Sequence, residues 1–279
     1  MPRKSGDAPI KNVFTVLDPT RMVQPALDKA EWIAERNGAG LHLYCCLHDA
    51  DLTTPAAQKA ALQRTKEWLD RLAATARARG LKTAGVVEWS PDWREALVAA
   101  AAASECDLIV KTSTAHLRVR RRLVRTADWM LLGRCPVPLL LVNPTQPVNT
   151  KLVLAAVKLK PVDEVHIALN ERVVETAHRI ARAVGAQLHA VTVHKGNELV
   201  FDRKVIAASC RLPWTRVHTA LGAVHRGIVE VAEEIGAGII IVGSSAGVSG
   251  TRNRADAARL IVDEARAADI VVLPASQVS

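Results

Sequence analysis

Four kinds of residue in this sequence stand where parallel α/β folds do their chemistry: a carboxylate, two lysines, several histidines and a small-residue loop. Asp18 follows the apolar run Val13 to Leu17 and precedes Pro19. Proline forces an extended-to-turn exit, so the carboxylate sits at a strand end. There it serves either to hold a hydroxyl, an amino group or a metal, or as a turn or helix-cap residue. Lys111 follows Leu108-Ile109-Val110 and leads Thr112-Ser113-Thr114 out of the sheet, where open α/β folds place their ligands. Lys158 ends a later run, Lys151 to Val157, as Asp18 ends the first. His48 and His194 close strand-like runs, while His116 and His225 lie in the segments beyond such runs. Imidazole titrates near neutrality and suits acid–base work or metal ligation. No pair has HExxH or CxxC spacing, so neither a structural metal nor a hydrolase has local support. After Gly243, Ser244-Ser245-Ala246-Gly247-Val248-Ser249-Gly250 can hold an anion through backbone amides, with Arg252 and Arg254 nearby, or act as a plain connector. Arg118, Arg121, Arg122 and Arg125 fall at helical spacing, giving either an anion-binding stripe or a solvated face. The sequence supplies no nucleophile–base pair and no paired carboxylates, which points to binding rather than catalysis.

The elements that position these residues alternate regularly. Strand one, Val13 to Leu17, is followed by a helix from Pro25 to Asn37, stopped by Gly38. Strand two runs from Leu41 to Leu47, and a long amphipathic helix from Pro55 to Arg79 carries Leu62, Trp68, Leu69 and Leu72 on one side. Val86 to Trp89, an Ala-rich helix from Trp93 to Ser104, strand four at Leu108 to Val110 and strand five at Leu139 to Val142 complete the unit. Strands alternating with helices predict an α/β fold with a parallel sheet covered on both faces. The order then repeats. Arg94 and Arg226, Val110 and Val242, and Arg134 and Arg266 are each 132 residues apart (226 − 94, 242 − 110, 266 − 134). Asn143-Pro144-Thr145-Gln146-Pro147 breaks both periodicities and reads as a linker, dividing the chain into domains 1–146 and 147–279. The second domain is 15 residues shorter between strands two and three, at the cost of its long helix. That shortening predicts an apolar cleft beside Lys158, His194 and Gly243, with Val205 reaching into it.

Composition bounds the function. The 279 residues are 49% hydrophobic and 23% charged, as in a soluble globular chain of two domains. No apolar run nears the ~20 residues of a membrane span, and the N-terminal stretch carries no signal-peptide h-region, so a cytoplasmic location is expected. Five cysteines, mostly in apolar runs, read as buried free thiols. A net charge of +9 invites an anionic partner, but 3% aromatic content argues against stacking platforms for nucleic acid.

Lys111, His116, Thr126-Ala127-Asp128-Trp129, Leu131-Leu132, Arg134-Cys135-Pro136 and Pro138 resemble the tandem branch of the universal stress protein family. The resemblance covers essentially the whole chain. It implies two five-stranded domains of strand order 3-2-1-4-5, related by a pseudo-twofold across their fifth strands. It also implies ATP as the candidate cofactor, held by a glycine-rich loop after strand four. Here Lys111 and Thr114 replace the loop glycines of the first copy, while the second keeps Gly243, places Ala246 at the next glycine and ends in Ala255-Asp256. The loop motif is therefore degenerate in both copies, and the cofactor is left open. The expectation is a stress-response protein binding a small anionic or hydrophobic ligand through Asp18, Lys111, His116, Lys158, His194, Gly243, Ser244, Ser245 and Gly247. An ATP-binding or slowly ATP-hydrolysing protein is the first alternative and an RNA- or anion-binding protein the second. Pairing of the two domains within the chain is expected, and a further homodimer stays open.

Overall fold

A computed structural model describes residues 9–47, 52–113, 128, 130–131, 137–158, 163–194, 202–244 and 257–275. The first half contributes β1 (Asn12–Val16), α1 (Pro25–Asn37), β2 (Gly40–Leu47), α2 (Pro55–Ala78), β3 (Thr83–Trp89), α3 (Trp93–Ala103), β4 (Leu108–Thr112) and β5 (Leu139–Val142). The second contributes β6 (Leu152–Ala156), α4 (Glu164–Val184), β7 (Gln187–His194), α5 (Arg203–Cys210), β8 (Val217–Leu221), α6 (Val224–Ile235), β9 (Ile239–Ser244), α7 (Ala257–Glu264) and β10 (Asp269–Pro274). Local chemistry sets the boundaries. Thr54 accepts a hydrogen bond from the Ala57 amide to cap α2, Asp92 caps α3 and Asp163 caps α4 in the same way. α1 and α4 end on Gly38 and Gly185, each in the left-handed conformation that glycine adopts without strain.

All ten strands join one sheet of order β3-β2-β1-β4-β5-β10-β9-β6-β7-β8. Each half has the expected order 3-2-1-4-5 with parallel pairing inside it. The halves meet where β5 and β10 pair antiparallel, Leu141 opposite Ile270 and Leu139 opposite Val272. Two apolar layers cover the sheet. One gathers α1, α2, α4 and α5, and the other α3, α6 and α7. Side chains cross between the halves as well. Lys29 of α1 lies 2.8 Å from Asp269 of β10, with the pair buried, and Arg179 of α4 lies 2.6 Å from Asp107. Asn37 donates to the Ala183 carbonyl at 3.0 Å.

Strand register corrects the repeat. Leu140 faces Val271 at the junction, while Val110 and Ile241 are their respective neighbours in β4 and β9. The structural offset is therefore 131 residues (271 − 140, 241 − 110), one fewer than the sequence landmarks imply. Lys111 corresponds to Val242 and Thr112 to Gly243. Identical arginines and valines one residue out of step had fixed the alignment, and a parallel sheet tolerates no such slip because it turns side chains to the other face. β4 also runs further than its apolar core, since Lys111 and Thr112 still pair with Leu141 and Val142.

Candidate functional site

Beyond the carboxyl ends of β1, β2 and β4 lies a cavity of about 250 Å³. The loop from Asp18 to Gln24 forms its rim. Gln24, itself buried, ties that loop down: its amide donates to the carbonyls of Asp18 (2.6 Å) and Arg21 (2.8 Å) and accepts from the Asp18 N–H (3.3 Å). Asp18 Oδ1 accepts from the Thr20 N–H at 3.0 Å and from its hydroxyl at 2.6 Å, and Oδ2 accepts from Arg21 Nε at 3.1 Å. Partial burial pushes this carboxyl up, but the Thr20 and Arg21 hydrogen bonds outweigh it and hold the group below the ordinary range. It is ionised at neutral pH.

Lys111 enters the cavity wall from β4. Its ammonium lies 2.6 Å from Asp128 Oδ1 and donates to the Thr112 carbonyl at 3.1 Å, and both side chains of the ion pair are nearly buried. Thr112 turns to the other face, where its hydroxyl accepts from the Ala26 N–H at 3.2 Å in the first turn of α1. Tyr44, Trp93, Leu97, Val16 and Leu17 supply the apolar wall, with Cys46 among them. The Tyr44 hydroxyl donates to Glu88 at 2.9 Å, and burial together with that bond pushes its pKa up. Burial also raises the thiols, Cys46 upward and Cys45 to about 12. Both stay protonated at neutral pH and are poor nucleophiles.

The corresponding place in the second half is built differently. α4 begins two turns earlier than α1, relative to the glycine that ends each helix. Those turns carry Asn170, whose side chain accepts from the Lys158 N–H at 2.8 Å and donates to its carbonyl at 2.7 Å. They also press Leu169 onto β9, so that a methyl group added at Gly243 would sit 2.7 Å from Leu169 Cγ. Ser244 is buried and accepts from the Ala275 N–H at 2.8 Å, and His194 ends β7 with its carbonyl accepting from Gly222 at 2.9 Å. The shortened segment retains a helix, α5, whose Ile206, Ala207 and Cys210 are buried in the sheet's apolar layer, while Val205 is 69% exposed. Val205 therefore points to water rather than into a cleft, and a lined cavity stands beside Asp18 and Lys111. The periodicity of α5 is too short for its orientation to be read from sequence.

Of the expected binding residues, the structure brings Asp18 and Lys111 together and sets Lys158, His194, Gly243 and Ser244 in the other half. His116, Ser245 and Gly247 lie outside the described residues, as do His48 and the arginine run 118–125. His225 is on α6, 3.5 Å from Glu264 of α7. Sequence reasoning passed over Thr20, Arg21, Tyr44 and Trp93. The Asp18-x-Thr20 spacing of a turn that closes on its own carboxylate was a legible signal. The Lys111–Asp128 pairing had none, because the two residues are distant in sequence. Among the described residues no helix is long and apolar enough to cross a membrane, and no cluster of three or more metal-ligating side chains occurs.

Comparison with known proteins bears on the same residues. A sequence model described as the Universal stress protein family matches residues 9–143. The chain is 23% identical over 268 residues to universal stress protein E of Photorhabdus laumondii, covering 84% of this chain and 85% of that one. It is 23% identical over 266 residues to universal stress protein E of Escherichia coli K12, covering 84% of each. Among solved structures, a functionally unknown protein of Pseudomonas aeruginosa PAO1 superposes with a TM-score of 0.77 at 24% identity, covering 97% of this chain and 94% of the other. A universal stress protein of Archaeoglobus fulgidus superposes with a TM-score of 0.73 at 14% identity, covering 96% and 97%. At these identities the superpositions speak to the fold alone.

Proposed function

We propose that this chain, whose residues 9–143 match the Universal stress protein family model, is a tandem stress-response protein acting by binding a small molecule rather than by catalysis. The observation that carries the reading is the cavity at the strand ends of the first half, where an ionised Asp18 faces the apolar wall of Tyr44, Trp93 and Leu97. Apolar walls with a few fixed polar groups are the usual form of a ligand site, and about 250 Å³ suits a small ligand. Residues 1–146 form the binding domain in this reading, and residues 147–279 a partner domain. The protein works in the cytoplasm, as a pseudo-dimer within one chain that leaves room for a further homodimer.

Native mass spectrometry of protein purified without denaturation tests the reading. A retained small molecule is expected in the parent and lost in Cys46→Trp, which fills the cavity from β2, with the circular dichroism spectrum unchanged. Equal retention by both proteins defeats it. A nucleotide in the same cavity is the second reading. On its side stands the Asp18 carboxylate at the end of β1, placed to accept from a ribose hydroxyl or an exocyclic amine. Titration calorimetry with magnesium ATP separates the two, micromolar binding favouring the nucleotide. RNA association, the reading that the charge of +9 favours, would instead appear as affinity that falls steeply with salt.

A further inference from the structure

The outer edge of the second half carries two imidazoles bonded to each other. β8 ends the sheet and pairs with β7 alone. Leu188 and Ala190 of β7 and Val217 of β8 enter the apolar layer of α4 and α5, so strand alternation turns His189 and His218 to the opposite face, with Val191. Val191 is the register partner of His218, which makes His189 its diagonal neighbour. His189 Nδ1 and His218 Nε2 stand 2.9 Å apart, with the ring centroids 5.2 Å apart and the planes within 13° of parallel. The two nitrogens therefore meet nearly head-on, one donating and the other accepting. Both rings are half-buried. α6 covers this face, close enough that a Cβ at Gly227 would stand 3.0 Å from Ala220 and Val193. Among the described residues, the charges acting on the pair come from three elements. Arg216 of the 3-10 turn Trp214–Arg216 acts on His189, while Arg203 of α5 and Glu234 of α6 act on His218. Burial, then the neighbouring positive charge, holds both imidazoles below their ordinary range, with Glu234 pulling His218 partly back.

Proton count decides whether this bond exists. A neutral pair holds two ring protons, one of them between the rings. A first added proton keeps the contact, since an imidazolium donates to its neutral neighbour and a charged donor makes the stronger bond. A second makes every ring nitrogen a donor, so two N–H groups and two positive charges face one another. The bond does not survive that state, and the rings titrate as one coupled unit in two steps. We infer that the pair is an acid-sensitive latch on the sheet edge: it holds β8 to β7 while it carries at most one added proton, and the second proton loosens β8 together with α5. Opening uncovers the edge of β7 and the residues Ile206 and Cys210 of α5, which are buried while the latch is closed. The closed state withholds a proton that the open state takes up at the ordinary imidazole value of about 6.5. Its hold is therefore complete above that value and weakens as pH falls from there towards the depressed folded one.

Amide hydrogen exchange in the full chain between pH 7.5 and pH 5, corrected for the intrinsic effect of pH on exchange, tests the latch. Protection of the segment Val217–Leu221 is expected to fall by up to about tenfold for each pH unit below 6.5, the slope of one withheld proton. Protection of β2, far across the sheet, should hold level over the same range. His218→Gln keeps a side-chain amide able to donate to His189 and removes one of the two titrating rings. It should bring the change in β8 protection within about threefold across the whole range. His189→Gln is the second variant and should do the same, so the test survives if either one folds poorly. Nuclear magnetic resonance titration of the two imidazoles in the parent adds an independent reading: two coupled steps are expected, the second below the ordinary range. Level β8 protection in the parent overturns the latch, as do two rings titrating independently near 6.5. An equal loss of protection in the parent and in both glutamine variants also overturns it, because the acid response would then belong to other groups.

Discussion

Leu169 of the second half packs onto β9 in the apolar layer that α1, α2, α4 and α5 share. Gly243 is the residue that admits it, since a Cβ there would stand 2.7 Å from Leu169 Cγ. Gly243→Ala is expected to cost about 1–3 kcal/mol by overpacking, read by urea denaturation, and Leu169→Ala in the same chain should recover part of that cost. Strictly additive costs would mean that the two side chains do not meet. Asp107 gives a second expectation. Burial pushes its carboxyl up, but the amides of Lys11 and Asn12 and the Arg179 guanidinium outweigh this and hold it below the ordinary 3.8. Because the folded pKa is depressed, the stabilisation is complete above the unfolded value and disappears as pH falls through the folded one. Asp107→Asn should therefore be less stable than the parent at pH 7, with the difference closing below about pH 4. An unchanged difference at pH 2 would count against the ion pair. At this scale Asp18 and Lys111 could be read from sequence, since each ends an apolar run and strand ends are where ligands lie. The pairing of Asp128 with Lys111 and the packing of Leu169 on Gly243 could not, because they come from distance in space and not from spacing along the chain.

Helices legible from their own caps and periodicity came out at nearly their expected bounds. α1 matches residue for residue between Pro25 and its terminating Gly38, and α2 and α3 end one residue earlier than their patterns imply. β8 follows a single 3-10 turn at Trp214 to Arg216. What the sequence concealed is the compensation in the second half. Losing most of the long second helix does not leave the sheet bare there, because eight residues, Arg203 to Cys210, still bury Ile206 and Ala207. Ile206→Ala is expected to lower stability by about 2–5 kcal/mol, whereas Val205→Ala, on the exposed side of the same helix, should change it by less than about 0.5 kcal/mol. Thermal denaturation of the two variants checks this, and equal losses would mean that the helix packs by the other face.

At the scale of the whole molecule, the halves are joined by a buried ion pair as well as by the β5–β10 ladder. Lys29 donates to the Pro147 and Val148 carbonyls of the connecting segment as well as meeting Asp269, whose other oxygen accepts from the Asn143 N–H at 2.8 Å. Burial raises the Asp269 carboxyl, with Lys29 pulling it back. Lys29→Met strands that carboxylate and is expected to cost about 3–5 kcal/mol at pH 7, most of it recovered in Lys29→Met with Asp269→Asn. Guanidinium denaturation of both variants measures it, and a double variant no better than the single would show that the lysine acts through packing alone. The antiparallel junction was legible because Leu139 to Val142 and Ile270 to Leu273 are matching apolar runs, whereas the ion pair across it was not. The place of β10 has a consequence for synthesis. It is the sixth strand of ten across the sheet yet the last of the described strands to leave the ribosome, 127 residues behind β5 (269 − 142). At synthesis rates of about 5–20 residues per second, the first domain waits roughly 6–25 s with the inner edge of its sheet unpaired. During that interval the apolar ladder of β5 is a template for any other strand in reach. Ribosomes stalled at Arg266 should therefore present a folded first domain that ribosome-associated chaperones hold, and the hold should end once β10 is free to pair with β5.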